Sequence, residues 1–312
     1  MAHIICGVDV SAATLDARLG RGGVWQQFAR TTDGIALLAQ FCKTNQVSLV
    51  VMEATGGYER LPFAQLWAAD MPVALVNPRS VRRFAESMGA LEKTDRIDTG
   101  MIAWYAETKR IAPTPPASDK QQRFMALVLR MRQLTDLRTA QDNQRRLVDD
   151  PDALASFSAI VATINQQIRT LEAKVIALID ADPLWLALDT AFRQIKGVAD
   201  RTVARLLANL PEIGTLSGKA VAKLTGLAPI ANDSGKKSGK RPVRGGREAV
   251  RSILYTVAEL VRRHEPDFKA FSDTLRAAGK PPKAVRIALA RKLLVRLNAK
   301  ARDVRKQLAQ TA

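Results

Sequence analysis

Residues 4–29 read IICGVDVSAATLDARLGRGGVWQQFA. Apolar runs at 4–10, 15–19 and 24–29 carry the β-branched residues and glycine punctuation of strands. So little chain separates them that hairpins are the expected connections. Further along, Ser48-Leu49-Val50-Val51-Met52-Glu53-Ala54-Thr55-Gly56-Gly57 and residues 73–76 read as two more strands. Helical patterns at 34–45, 59–69, 79–88 and 95–109 lie between or after them. A strand reached through such a helix adds in parallel.

A three-stranded antiparallel start extended by parallel strands is the topology of an RNase H-like fold. The expected class is therefore α/β plus α: an RNase H-like amino-terminal domain followed by helices.

Two of the strand runs are interrupted by single acids, Asp9 and Glu53, and an acid inside such a run is costly to bury without a partner. Lys93-Thr94-Asp95-Arg96-Ile97-Asp98 then opens a helix whose body is Met101-Ile102-Ala103-Trp104-Tyr105-Ala106. Positions i and i+3 share a helix face, so Asp95 and Asp98 belong together. Two readings stand for that pair. Acids favour a solvated first helical turn; adjacent carboxylates also bind a divalent cation. Lys93 beside them suits a phosphate contact or a solvated helix start. Two acids at strand ends and two on one helix face make an all-oxygen set suited to Mg²⁺.

Only Cys6, Cys42, His3 and His264 are present, which excludes a disulfide framework and a zinc site. No apolar run approaches the roughly 20 residues of a membrane span. A basic-then-apolar leader is also lacking, so a cytoplasmic protein is expected. The net charge is +18, and its placement matters more than its size. Residues 1–110 net +1, residues 111–190 net −1, and residues 191–312 net +18. That asymmetry points to nucleic acid at the carboxy-terminal end.

Pro113, Pro115 and Pro116 mark a boundary. The expected division is residues 1–112, a helical coiled-coil arm at 113–188, and a basic helical domain at 189–312. Two long helices over about 119–182 carry apolar residues at spacings of three and four, as in an antiparallel pair. A dimerisation arm and a plain spacer both fit. Residues 195–207, with Lys196, Gly197 and Arg201, resemble a helix-hairpin-helix that offers N–H groups to a phosphate. Ala199 replaces the usual second glycine, and an ordinary helix-turn-helix fits equally.

Residues 226–247 form a loop rich in Gly, Ser, Lys and Arg that cannot pack a core. Lys236, Lys237, Lys240, Arg241, Arg244, Arg247 and the following Arg251 join Lys196 and Arg201 as candidate nucleic-acid contacts. A flexible basic linker and a nucleophile-bearing loop remain open, because serine needs activation and no base is evident.

Asp9 in Gly-Val-Asp-Val-Ser, Glu53 in Met-Glu-Ala-Thr-Gly-Gly-Tyr, and Lys-Thr-Asp-Arg-Ile-Asp resemble the DEDD transposases of bacterial insertion sequences. These are the family one-ten enzymes, relatives of pilin-gene invertases. Gly-Leu-Ala-Pro at 226–229, Asp-Ser-Gly at 233–235, Gly-Gly-Arg at 245–247 and Val-Arg-Ser-Ile-Leu-Tyr at 250–255 resemble that family's second domain. The resemblance implies an RNA-guided recombinase with a RuvC-like amino-terminal domain, acting on donor and target double-stranded DNA. It assigns Mg²⁺, with Mn²⁺ as a substitute, to Asp9, Glu53, Asp95 and Asp98. It also assigns a covalent phosphoserine to Ser234, with Ser238 the competing serine. A structured bridge RNA and a tetramer built from dimers complete the implied machinery. The alternative enzyme is a RuvC-like, structure-selective nuclease that uses metal-activated water.

Overall fold

The computed structural model describes residues 4–90, 95–231, 233–234, 237–239 and 241–311, without the side chains of 95, 96, 233, 237, 238 and 311. The chain divides into two compact units, Met1–Ala117 and Ser118–Ala312.

The first unit opens with β1 (Ile4–Val10), β2 (Thr14–Leu19) and β3 (Trp25–Ala29), each antiparallel to the one before. The Ser11 hydroxyl closes the first hairpin by accepting the Ala13 and Thr14 N–H groups at 3.2 and 2.8 Å. α1 (Thr32–Thr44) starts where the Thr31 hydroxyl caps the Gly34 N–H. It leads to β4 (Val47–Glu53), which lies parallel to β1. α2 (Arg60–Ala68) and β5 (Val73–Val76) repeat the step, and β5 is parallel to β4. α3 (Pro78–Ser87, capped by Asn77) and α4 (Asp95–Lys109) follow. The sheet order β3-β2-β1-β4-β5 is the mixed topology expected of an RNase H-like domain.

Strand alternation sends side chains to two cores. Cys6, Val8, Val10, Leu15, Ala17, Val50 and Met52 pack against α1 and α2. Ile5, Leu49, Val51 and Ala74 pack against α3 and α4. Gly7 lies on the second face, where α4 rests directly on β1. A Cβ at Gly7 would overlap the Thr99 carbonyl oxygen and come within 2.8 Å of the Ala103 nitrogen. Only glycine admits the helix this closely.

The second unit begins with α5 (Asp119–Arg145) and α6 (Pro151–Asp180). Lys120 near the start of α5 meets Asp182 just past the end of α6, and Arg138 farther along meets Asn165, so the pair is antiparallel. Phe124, Val128, Met131, Val175 and Ile179, from the ends near the other helices, join the main core of this unit. Leu134, Ile164 and Ile168 make a smaller cluster farther out. α7 (Pro183–Arg193), α8 (Asp200–Asn209) and α9 (Gly218–Leu224) come next. A hairpin of β6 (Asp233–Ser234) and β7 (Lys237–Ser238) then precedes α10 (Glu248–His264), α11 (Pro266–Ala277) and α12 (Pro282–Thr311). Among the described residues no helix is long and apolar enough to cross a membrane.

Candidate active site

Asp9 and Glu53 stand one residue beyond Val8 and Met52, the last register pair of β1 and β4. Paired residues of neighbouring strands share a face, and side chains alternate along each strand. Asp9 therefore follows Gly7 to the α4 side, and Glu53 follows Val51. Asp98, in the first turn of α4, immediately precedes the buried Thr99 whose carbonyl lies over Gly7. One face and one end of the sheet thus receive three carboxylates from three elements. All three are half-buried. Asp9 Oδ1 also accepts the Val10 N–H at 3.0 Å. Asp95 is the first residue of α4, one turn before Asp98; its side chain and Lys93 lie outside the described residues. Among the described residues no three His, Cys, Asp or Glu side chains close into a metal-sized group. The donor set is nonetheless all carboxylate oxygen, which fits Mg²⁺ and not a softer metal.

A fifth acid escaped the sequence reading. Asp16 of β2 is paired with Asp9 and accepts a hydrogen bond from Gln27 Nε2 at 3.1 Å, with 5% of its surface exposed. Glu59 is also buried. Its Oε2 accepts the Thr55 and Gly57 N–H groups at 3.0 and 2.9 Å, which fixes the loop after Glu53.

In the second unit Ser234 is exposed on β6, in register with Lys237 of β7. Ser238 pairs in the same ladder with Asp233. Lys236 and Lys240, and the side chains of Lys237 and Ser238, lie outside the described residues. The base of this loop is firmly built. Ile230 N–H donates to the Pro242 carbonyl at 3.1 Å, and Arg247 N–H to the Leu224 carbonyl at 2.9 Å. The Arg247 guanidinium grips Glu212 with two bonds of 2.5 and 2.6 Å and reaches the Asn209 carbonyl. Arg251 donates to the Gly245 carbonyl. Burial pushes the Glu212 carboxyl up, but the Arg247 hydrogen bonds and charge outweigh it and hold the group below its ordinary range. Arg244 is exposed on the same loop.

In the hairpin at 195–199, Lys196 N–H donates to Glu265 Oε1 at 2.9 Å, and Arg201 is paired with Glu172. A Cβ on Gly197 would lie 3.0 Å from the Val261 nitrogen, so this turn packs closely on α10.

Residues 6–148 match a DEDD transposase model of the IS110 group, described as "Transposase". Residues 189–273 match "Transposase IS116/IS110/IS902 family". The chain belongs to the IS110 family of transposases. This transposase is 26% identical to the pilin gene-inverting protein of Moraxella lacunata, with 94% of each chain covered. The Moraxella bovis protein of the same name matches equally. An insertion element IS110 protein of Streptomyces coelicolor is 27% identical over 67% of this chain and 53% of that protein. A Thermus thermophilus RuvC structure overlaps 36% of the transposase and 99% of its own chain at 13% identity, with a TM-score of 0.27. Strand order and register, not that overlap, make the first unit RNase H-like. As an enzyme the transposase recombines DNA.

Proposed function

We propose that this transposase cuts and rejoins DNA through a covalent phosphoserine formed on Ser234, with Asp9, Glu53, Asp95 and Asp98 holding Mg²⁺. The observation that carries this reading is the delivery of Asp9, Glu53 and Asp98 to one end and one face of a sheet by β1, β4 and α4. When bound, Mg²⁺ supplies Lewis-acid polarisation of the scissile phosphate. Ser234 Oγ bonds to phosphorus as the DNA's own P–O bond breaks, and the departing strand oxygen ends as a free hydroxyl that carries the equivalent of the serine's proton. One phosphodiester replaces another, so rejoining needs no external energy source.

The domain division at 1–112, 113–188 and 189–312 gives a catalytic domain, a dimerisation arm and a serine-bearing domain. Exposed Leu137 of α5, Ile160 of α6 and Leu147 in their connection support an associating arm. A dimer that pairs into a tetramer would bring the acids of one subunit to the serine of another. The basic residues around Ser234, with the charge of 191–312, suit nucleic-acid backbones, while a bridge RNA reads donor and target by base pairing.

The test is a denaturing gel of protein, Mg²⁺, bridge RNA and end-labelled DNA. Wild type and Ser238→Ala should give an SDS-resistant protein–DNA adduct, and Ser234→Ala should not. Asp9→Asn and Asp98→Asn should abolish cleavage. Strand cleavage that survives in Ser234→Ala would mean metal-activated water and would sink the serine mechanism.

A further inference from the structure

The loop that leaves Glu53 carries an aromatic ring on a rigid base. Gly56 and Gly57 adopt φ of +64° and +106°, a region open mainly to glycine. The buried Glu59 carboxylate holds this loop by accepting the Thr55 and Gly57 N–H groups. Tyr58, between Gly57 and Glu59, is 46% exposed. The Arg30 guanidinium lies 5.2 Å from the centre of that ring. Arg30 is itself fixed, since its Nε donates to the Ala12 carbonyl and its backbone N–H to the Ala13 carbonyl, both at 2.8 Å. Arg60 comes within 3.7 Å of where a Gly57 Cβ would sit. Ala12 and Ala13 belong to the hairpin just past Asp9, and Tyr58 follows Glu53 by five residues. The ring, the Arg30 guanidinium over it and the Arg60 guanidinium beside Gly57 therefore lie at the end of the sheet that carries the candidate acids.

An exposed, stiffly mounted tyrosine with one guanidinium over its ring and a second beside the preceding glycine has the chemistry of a single-strand platform. A base stacks on the ring, and the guanidinium groups meet its phosphates or stack in turn. We propose that Tyr58, with Arg30 and Arg60, holds an unpaired base of the DNA strand beside the scissile phosphate. This rests on the reading of Asp9, Glu53, Asp95 and Asp98 as the cleavage site. The DNA must be locally unpaired there for the base to reach the ring.

The full chain, in EDTA so that no strand is cut, is mixed with a bubble duplex carrying 2-aminopurine in its unpaired stretch. Wild type and Tyr58→Phe should quench the fluorophore by stacking. Tyr58→Ala should lose most of the quenching and bind the bubble about tenfold more weakly, with its thermal midpoint unchanged. Arg30→Gln should fall between them. Equal quenching by Tyr58→Ala and wild type overturns the platform. So does quenching seen with an RNA strand of the same sequence but not with DNA. Cleavage by Asp9→Asn in Mg²⁺, assayed separately, reports on the cleavage-site reading. Retained cleavage there would refute that reading without touching the quenching result.

Discussion

At the scale of single residues, Gly7 decides whether α4 can bring Asp98 to the strand that holds Asp9. A Cβ there meets the Thr99 carbonyl and the Ala103 nitrogen, both backbone atoms that cannot rotate away. Gly7→Ala must push the helix off the strand. The expected cost is about 2–3 kcal/mol, as for overpacking in a closed core. Gly22→Ala is the matched control, since nothing lies within 4 Å of its Cβ position. It should change stability by less than about 0.5 kcal/mol. Urea unfolding of the two variants measures the difference; equal stabilities would mean that α4 does not rest on β1 as described. Asp16 shows why such residues are hard to see from sequence. Leu15, Ala17 and Leu19 alternate with Asp16 and Arg18, which resembles a strand with one wet face. That polar face is in fact covered by α4, because a Cβ on Gly100 would lie 3.6 Å from Arg18 Cδ.

Among the elements, the five strands of the first unit were legible because each apolar run has its own boundaries and period. Asp9 and Glu53 could be placed at strand ends for the same reason. The β6–β7 hairpin was not legible. Its two-residue strands are too short to show a period, and its composition is that of a loop. Nor could the anchoring of that loop be foreseen. Arg247 reads locally as one more cation in a basic run, and its partner Glu212 is 35 residues away. The pairing makes the loop base sensitive to acid. Glu212 titrates below its ordinary value of 4.5 in the folded chain. Its contribution is therefore complete above about pH 4.5 and is lost as pH falls through the lowered folded value. Glu212 is partly exposed, so water screens the pair and its worth is about 1 kcal/mol. Arg247→Gln should be less stable than wild type by about that amount at pH 7, and the gap should narrow steadily as pH falls below about 4.5. Urea unfolding at pH 7 and at a series of lower pH values follows the gap. A gap that stays constant at every pH below the ordinary glutamate value would assign the effect of Arg247 to its bond with the Asn209 carbonyl.

For the whole molecule, the charge is so unevenly placed that the two units should respond to salt differently. The entire excess of +18 falls in residues 191–312. Cations that neutralise phosphates release condensed counterions, so the logarithm of affinity falls with that of salt by about 0.9 per contact on duplex DNA. Not every cation of the second unit is available in the same way. Arg262 is paired with Glu259 at 2.6 Å, and Arg286 lies over the Tyr255 ring while donating to its carbonyl. Arg276 and Lys283 line the same hollow between α10, α11 and the start of α12. Reversing both, as Arg276→Glu with Lys283→Glu, should make the salt slope of duplex binding shallower by about 2. Lys43→Glu, in the last turn of α1, should leave the slope unchanged. Binding is measured in EDTA from 50 to 300 mM salt, which separates electrostatic grip from cutting. An unchanged slope in the double variant would move the duplex contact away from this hollow. A slope altered equally by Lys43→Glu would show that the charge acts as a diffuse field instead of through particular contacts.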